Sequence, residues 1–348
     1  MSEFMKAIVY HGPWDMRLEK LVKPKPQPNE VLIKIQAVGI CGSDVHGFTG
    51  ESGRRTPGMV MGHEAAGKVV ARGSSVRSPQ IGTSVAIFNI IADVPPTPEE
   101  GDPSFLNKKM IGVNLAKKGA MAEFITVPAE NALPIPQEVP AEIGLLAEPV
   151  AVVSHAWRRL EEHNIKPQRI AIIGAGTIGL AAVLTVGTRK IPQLAVLDTI
   201  VEKTNRAASL GAKGLHVDLK KPFSIISQKL SQVLGGEADT VVDAAGTQDS
   251  FALCLNLVKP GGCILLIGNL AKKVPLPLQD TVSKEISLIG TYAFDRRDFS
   301  LALSILPEIQ SQLSTFVEGR CRLEDVPRTI TSLAKGQNQA LKTIINLD

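Results

Sequence analysis

Residues 169–190, RIAIIGAGTIGLAAVLTVGTRK, decide the fold class of this chain. The stretch opens with the apolar run RIAIIG, passes through a glycine-rich turn and continues as an apolar segment with helical character. A strand that is apolar on both faces and leads directly into a helix is typical of a parallel sheet covered by helices on both sides. The stretch therefore predicts an α/β fold with a doubly wound parallel sheet.

Three glycines in this stretch have the G-x-G-x-x-G spacing: Gly174, Gly176 and Gly179. In such a turn the first glycine permits a tight bend, the second lets a pyrophosphate approach the backbone, and the third allows helix and strand to pack closely. Thr177 and Ile178 lie where the helix begins, and the free N–H groups and positive dipole end of a helix start attract phosphate. The position between strand and helix turns an otherwise common pattern into a predicted dinucleotide site.

An acidic residue at the end of the next strand supports the same prediction. Asp198 ends the apolar run LAVLD, 19 residues after Gly179. A carboxylate at this place accepts hydrogen bonds from the ribose hydroxyls and repels a 2′-phosphate, so NAD is favoured over NADP, although the nearby Lys203 weakens that preference slightly. The alternative is that Asp198 merely caps the following turn; we favour the coenzyme role because strand, glycines and acid fall in register.

The chain outside this stretch falls into regions of different character. Residues 1–150 contain short β-type runs broken by Gly, Pro, Asp and Ser, which predicts a β-rich domain. Residues 151–292 alternate apolar strands with helical segments, and residues 293–348 return to mixed character. We therefore expect two domains, with the last region packing back onto the first.

Composition and charge exclude several classes of protein. Of the 348 residues, 44% are hydrophobic and 21% are charged, and the formal net charge is +4, values typical of a globular protein rather than a disordered or fibrous one. No basic run indicates nucleic-acid binding, and no apolar run of about 18 residues indicates a membrane span. The four cysteines form no C-x-x-C pair and the N-terminus has no secretory signal, so we expect a cytoplasmic protein.

Residue types that bind zinc occur in three separate stretches: CGSDVH at 41–46, GHE at 62–64 and AEP at 147–149. Cysteine, histidine and carboxylate ligands are typical of a catalytic zinc that keeps one position open. Because the stretches are scattered along the chain, their spacing alone does not define a site. Taken singly, Cys41 would fit a buried apolar filler and His63 a satisfied core histidine.

These stretches, together with GAGTIG at 174–179 and Asp198, resemble the zinc-containing medium-chain dehydrogenase/reductase superfamily, and most closely its sorbitol (polyol) dehydrogenase branch. The resemblance runs over essentially the whole chain. It implies a GroES-like β-rich catalytic domain formed by residues 1–150 and 293–348. A Rossmann coenzyme domain, residues 151–292, would be inserted between these two segments.

The resemblance also implies a set of metal ligands. Cys41 and His63 would ligate a catalytic zinc, and Glu64 and Glu148 would be further or exchangeable ligands, so Glu148 is counted among the catalytic residues as well. A carboxylate can yield its place when a substrate oxygen arrives. Which of the two carboxylates completes the zinc shell stays open.

Two further residues resemble the proton relay of the family. Ser43 lies two residues after Cys41 and resembles the hydroxyl on the zinc side, and His46 resembles the terminal base that passes the proton to solvent. The alternative for His46 is a surface loop histidine. Asp44 is expected to brace the loop rather than to take part in the chemistry.

Many relatives carry a second, structural zinc held by four cysteines. With the loop aligned on Gly101, the four positions fall on Ala92, Pro95, Pro98 and Leu106, so every thiolate is absent. Apolar residues cannot bind zinc, and we therefore expect one metal per subunit. The prolines would partly replace the restraint of the metal by lowering the entropy of the unfolded chain.

The implied function is a reversible hydride transfer between NAD and a secondary alcohol, with zinc acting as a Lewis acid on the alcohol oxygen. The small-molecule substrate would be a polyol, a polyol phosphate or a related sugar-derived alcohol; a cyclitol, an amino alcohol or an acyclic diol stays open. Arg54 and Arg55 suit a phosphate or carboxylate, with a solvated loop as the alternative. In relatives the strand near residues 286–291 extends the sheet across a subunit interface, which implies a homodimer or homotetramer.

Two rival functions come from other classes of protein. A zinc-free quinone or enoyl reductase of the same superfamily lacks the cysteine, histidine and glutamate set, so Cys41, His63 and Glu148 together argue against it. A non-catalytic NAD-binding protein that kept the fold is not supported, because the relay residues Ser43 and His46 are both present.

Overall fold

The computed structural model describes residues 3–91, 109–115, 118–187, 193–268 and 270–347. Two compact units make up the chain, and they differ in architecture. The two-segment unit comprises the residues up to Glu148 and those from Asp295 onward, and the inserted unit is Pro149–Phe294. The loop over 92–106, on which the loss of a structural zinc was predicted, lies outside the described residues.

Strands and helices alternate in number and length between the two units. The strands are β1 (Phe4–Gly12), β2 (Asp15–Val22), β3 (Glu30–Ile40), β4 (Met59–Val60), β5 (Glu64–Arg72), β6 (Ser84–Ile87), β7 (Ile90–Ile91), β8 (Lys109–Met110), β9 (Phe124–Pro128), β10 (Ala132–Pro134), β11 (Arg169–Ile173), β12 (Gln193–Asp198), β13 (Lys213–His216), β14 (Ala238–Asp243), β15 (Val258–Leu266), β16 (Ser287–Gly290), β17 (Val317–Arg322) and β18 (Lys342–Asn346). The helices are α1 (Gly42–Phe48), α2 (Ala141–Gly144), α3 (Ala147–Glu162), α4 (Thr177–Gly187), α5 (Val201–Ser209), α6 (Phe223–Leu234), α7 (Gln248–Leu257), α8 (Leu278–Ser283), α9 (Arg296–Ser314) and α10 (Val326–Ala334).

The inserted unit is built on a parallel sheet with the strand order β13-β12-β11-β14-β15-β16. From β11 the chain adds strands first on one side and then, from β14, on the other, which is the doubly wound order of a dinucleotide-binding fold. Ile170, Ala171 and Ile172 of the central strand are fully buried. The predicted α/β fold is confirmed, because only a sheet covered on both faces buries such a continuous apolar run.

The two-segment unit is β-rich, as the short β-type runs predicted. Its larger sheet has the order β10-β6-β5-β3-β18-β17, with β9 also paired to β3, and a smaller sheet has the order β2-β1-β4. β18 runs antiparallel to β3, so the second segment of this unit pairs with the central strand of the first. Within the described ranges, no helix combines the length and the apolar character that crossing a bilayer would need.

Gly179 fixes how α4 packs against β11. A Cβ at this position would overlap the carbonyl oxygen of Gly174, which itself has a φ of +97° in the left-handed region. The third glycine of the motif is therefore required for close packing of helix and strand, whatever the unit binds.

We predict that Gly179→Ala lowers the free energy of unfolding by about 1–3 kcal/mol, because the helix has to shift to relieve the overlap. Gly187→Ala is the matched control in the same helix, since a Cβ there meets no described atom within 4 Å. Urea unfolding of both variants checks this. Equal losses of stability in the two variants would contradict the packing argument.

Candidate metal centre and dinucleotide loop

Cys41 lies at the turn where β3 ends and α1 begins. It is the N-cap of α1, with an extended backbone, and its N–H donates to Asp44 Oδ2 at 3.1 Å. Asp44 is completely buried. The aspartate therefore fixes the turn that carries the cysteine, because a buried carboxylate keeps its hydrogen-bond partners firmly.

His63 lies between β4 and β5 and reaches the same place from the other side of the turn. Its Nδ1 lies 3.2 Å from Asp44 Oδ1, and its Nε2 lies 3.3 Å from Ser43 Oγ. The preceding Gly62 has a φ of +92°, a conformation that glycine adopts without strain. The backbone bend at Gly62 and the carboxylate of Asp44 together orient the buried imidazole.

Glu64 completes a compact group of metal-binding side chains. One possible ligand atom from each of Cys41, His63 and Glu64 lies within 4.8 Å of the other two. His63 and Glu64 are buried and Cys41 is partly buried. A thiol, an imidazole and a carboxylate are the donor types of a catalytic zinc, so the residues present fit that ion.

Glu148, the fourth predicted ligand, is not part of this group of three. It is buried near the start of α3, and its Oε1 accepts a hydrogen bond from Asn89 Nδ2 at 3.4 Å. Burial raises the pKa of Glu148 to about 7; the charge of Glu64 raises it further, while His63 and Lys342 act in the opposite direction. The carboxyl group is therefore close enough to respond electrically to the three converging residues.

Lys342 is part of this site, and sequence reasoning missed it. Its Nζ donates to Glu64 Oε1 at 2.8 Å and to Glu64 Oε2 at 2.7 Å, with Lys342 3% and Glu64 1% exposed. Burial alone would lower the pKa of Lys342, but the charges of Glu64 and Cys41 raise it above its usual value. The pair joins residues 278 positions apart, and no local pattern signals such a distant partner.

Gly39 provides the space for this ion pair. In the sheet, Gly39 on β3 stands opposite Glu64 on β5 and opposite Ile344 on β18. A Cβ at Gly39 would overlap Glu64 Oε2. Because β3 lies between the other two strands, a missing side chain at this position lets the carboxylate and the ammonium meet across it.

Arg55 is an interior residue, contrary to the hypothesis that it receives an anionic group of the substrate. Its guanidinium donates to the carbonyl oxygen of Val113 at 2.9 Å, to that of Ser43 at 3.2 Å and to Asp44 Oδ1 at 3.3 Å. These contacts occupy it inside the protein, whereas the neighbouring Arg54 is exposed. Sequence alone placed both arginines on a surface loop, because arginine is rarely buried without a partner.

Asp44 and His63 hold each other in their charged forms when no metal is bound. Burial alone would raise the pKa of Asp44, but His63 and Arg55 lower it below its ordinary value. Burial alone would lower the pKa of His63, but Asp44 and Cys41 raise it well above its ordinary value. The site thus attracts positive charge, and a metal ion competes with the proton for the imidazole.

The two predicted relay residues share the short helix α1. Ser43 lies in its first turn, beside His63, and His46 lies in its last turn. The His46 side chain is 37% exposed, and its Nδ1 lies 2.7 Å from Glu51 Oε2. One hydroxyl is therefore next to the converging ligands and one imidazole reaches solvent.

The predicted dinucleotide residues also come together, in the inserted unit. Asp198 Oδ2 accepts a hydrogen bond from the N–H of Ala175 at 2.8 Å, inside the glycine motif, and its Oδ1 accepts one from Ile200 at 3.0 Å. Asp198 thus caps the following turn, which was the alternative reading, and contacts the glycine loop as well. Lys203 is half-buried in α5.

The glycine loop leaves room above its second glycine. A Cβ at Gly176 would meet no described atom within 4 Å, in contrast to Gly179. Thr177 and Ile178 open α4 directly after it. The open space and the helix N-terminus lie together, as phosphate binding at such a loop requires.

Comparison with known proteins agrees with both halves of this description. Residues 27–137 match the alcohol dehydrogenase GroES-like domain family, and residues 177–308 match the zinc-binding dehydrogenase family. The chain is 31% identical to the sorbitol dehydrogenase of Bos taurus over 98% of this chain and 96% of that protein.

Two solved structures share the whole fold. The 2R,3R-butanediol dehydrogenase of Bacillus subtilis superposes with a TM-score of 0.84 at 25% identity, covering 99% of this chain and 100% of that one. A Sinorhizobium meliloti protein described as a zinc-binding dehydrogenase, solved with bound NADP, gives a TM-score of 0.86 at 25% identity over 99% and 100% of the two chains. With these matches over almost its full length, the chain belongs to the zinc-containing medium-chain dehydrogenase/reductase superfamily, as a relative of the sorbitol dehydrogenases.

Proposed function

We propose that this protein is a zinc-dependent dehydrogenase that transfers hydride reversibly between NAD and the secondary alcohol of a polyol, a polyol phosphate or a related sugar-derived substrate. The observation that carries the proposal is the convergence of Cys41, His63 and Glu64, with donor atoms within 4.8 Å of one another, in a relative of the sorbitol dehydrogenases. A thiol and an imidazole held beside a buried carboxylate match a catalytic rather than a purely structural zinc site.

The chemistry follows from the residues around this group. Zinc, when bound, supplies a Lewis acid that polarises the alcohol oxygen and favours loss of its proton. Cys41 and His63 hold the ion, and Asp44 keeps the His63 ring in its orientation. Ser43, beside His63, accepts the alcohol proton, and the partly exposed His46 on the same helix passes it to solvent.

The inserted unit supplies the hydride acceptor. Gly174, Gly176 and Gly179, with the start of α4, would hold the pyrophosphate, and Asp198 would bind the ribose hydroxyls. Each carboxylate oxygen of Asp198 accepts one backbone hydrogen bond and keeps a further lone pair for such a hydroxyl. Its negative charge supports a preference for NAD over NADP, even though one relative of known structure was solved with NADP.

We further propose one zinc per subunit. The four loop positions that hold structural zinc in many relatives carry Ala92, Pro95, Pro98 and Leu106 in this sequence, and none of these can act as a ligand.

The rival functions are less well supported. A zinc-free reductase has no use for a buried thiol, imidazole and carboxylate within 4.8 Å of one another. A non-catalytic NAD-binding protein has no use for that group either, nor for the hydroxyl of Ser43 beside it.

A homodimer or homotetramer is proposed from the edge of the parallel sheet. β16 is the last strand of the sheet, and exposed apolar side chains lie on or near it: Leu278, Val282 and Leu288. An edge strand with apolar neighbours is a ready surface for pairing with a second copy. We propose a cytoplasmic location because all four cysteines are free thiols, and we propose no nucleic-acid or membrane partner.

The substrate class can be tested directly with a panel of polyols and polyol phosphates in the presence of NAD, followed by the absorbance of the reduced coenzyme. We expect turnover with at least one of them and a lower rate with NADP. The absence of turnover with every member of the panel would contradict the polyol assignment.

We predict that Cys41→Ala removes bound zinc and lowers kcat by several orders of magnitude, while the affinity for NAD stays within about threefold, because the coenzyme residues lie in the other unit. Gly176→Ala is the converse variant: it keeps its zinc but binds NAD at least about tenfold more weakly, since its Cβ enters the space left for phosphate. Metal analysis and coenzyme titration check both. A Cys41→Ala protein with unchanged kcat would refute the assignment.

We predict that zinc-free protein loses stability as the pH rises from about 4.3, the usual pKa of a glutamate in an unfolded chain, towards 7. The reason is that Glu148, with its pKa raised to about 7, keeps a proton in the folded state that the unfolded chain has already released. In Glu148→Gln this contribution disappears, so the free energy of unfolding should fall less steeply across the same range. Chemical unfolding in the presence of a chelator measures it, and identical pH slopes would rule out the raised pKa.

We predict that Leu288→Lys, in the edge strand β16, shifts the protein towards monomers, since it places a charge within the proposed interface. Leu18→Lys in the edge strand β2 is the matched control, because both leucines are 38% exposed. Sedimentation analysis of the two variants and the wild type checks this. Dissociation by both variants, or by neither, would argue against an interface at β16.

A further inference from the structure

We propose that Lys342 is a positioning residue of the metal centre: its buried ammonium group holds the Glu64 carboxylate as a counter-ion and so keeps a coordination position open for substrate. The inference rests on the proposed function, because it requires zinc at Cys41 and His63. It assigns a role to a residue of the second chain segment that no motif of the sequence singles out.

The geometry of the pair fits a holding function. The Nζ atom of Lys342 lies 2.8 Å from one oxygen of Glu64 and 2.7 Å from the other, and 3.4 Å from the carbonyl oxygen of Ile40. An ammonium group has three donors, and three acceptors surround it here. Both members are almost completely buried, so neither can exchange its partner for bulk water.

Glu64 has two possible partners in this arrangement. Its carboxylate is paired with Lys342, and it is also within 4.8 Å of the donor atoms of Cys41 and His63. A carboxylate that leaves a metal ion inside a protein would otherwise be an unpaired buried charge, which costs several kcal/mol. Lys342 removes that cost, because it provides a neutralising partner for Glu64 away from the ion.

The sheet prevents Lys342 from following Glu64 towards the metal. Lys342 begins β18, where the next residue, Thr343, stands opposite Ile40 of β3, and Ile344 stands opposite Gly39. The backbone at this place is therefore fixed by the ladder between β18 and β3. The ammonium group is anchored from its own strand, and the shorter glutamate is drawn to it.

The same site contains a carboxylate that lacks a cationic partner. Asp44 is paired with Arg55, and Glu64 is paired with Lys342. Among the described residues, Glu148 forms no ion pair and only receives a hydrogen bond from Asn89. The choice between Glu64 and Glu148 as zinc ligand, which the sequence leaves open, is thus biased by Lys342 against Glu64.

The test compares zinc affinity in the full-length protein, measured by competition with a chelator, for Lys342→Met, Lys342→Arg and the double variant Lys342→Met/Glu64→Gln. We expect Lys342→Met to bind zinc about tenfold or more tightly, since the released carboxylate turns to the ion, and to lose kcat more than it changes KM. Lys342→Arg, which keeps the charge, should retain the wild-type affinity. The double variant should return towards the wild-type affinity, because it has no carboxylate to release.

The visible spectrum of the cobalt-substituted protein gives a second readout, because its bands report the ligands around the ion. Lys342→Met should change this spectrum, and the double variant should restore it. A residue that only stabilises the fold would lower the melting temperature without tightening zinc binding. Zinc affinity in Lys342→Met that is equal to or weaker than wild type would therefore overturn the proposal.

Glu64→Gln alone keeps the proposal open to refutation if Lys342→Met does not fold. If Lys342 holds Glu64 away from the ion, this variant should change zinc affinity by less than about threefold, whereas loss of a resident ligand would weaken it about 100-fold. A wild-type protein that binds no zinc would instead refute the proposed function itself, so the two failures are distinguishable.

Discussion

Burying acidic groups beside a metal requires a cation for each of them, and this constraint shapes the two-segment unit. Asp44 and Glu64 flank the cysteine and histidine, and both are inaccessible to water. Arg55 and Lys342 neutralise them from opposite directions along the chain, one from the loop after α1 and the other from β18. The pairing of β18 with β3 therefore does more than complete a sheet, because it delivers a charge that the site needs.

Much of the fold could be read from residues 169–190 and the runs around them. A continuous apolar strand must be covered on both faces, and a glycine motif between strand and helix has few other uses, so the parallel sheet and the place of the coenzyme loop followed from local pattern. The approach of Cys41 and His63 was reached through family resemblance and not through spacing, because residues 22 positions apart on different strands carry no periodic signal.

The parts that escaped prediction are those set by long-range pairing. Lys342 lies in the run ALKTIIN, where a single lysine suggests an edge position, and only the register of β18 against β3 shows that it is buried. Arg55 escaped for a similar reason, since its partners Val113 and Ser43 come from separate segments. Asp198 shows a milder limit: capping and coenzyme binding were treated as alternatives, although one carboxylate has two oxygens and makes both kinds of contact.

The distance in sequence between Glu64 and Lys342 has a consequence for biosynthesis. The ribosome makes the whole inserted unit, Pro149–Phe294, after Glu64 and before Lys342. A nascent chain that has not yet reached β18 presents β3 with an open edge and a carboxylate whose counter-charge does not exist. Translation products interrupted before this point would be incomplete in their interior, and cellular proteases could recognise them by that defect.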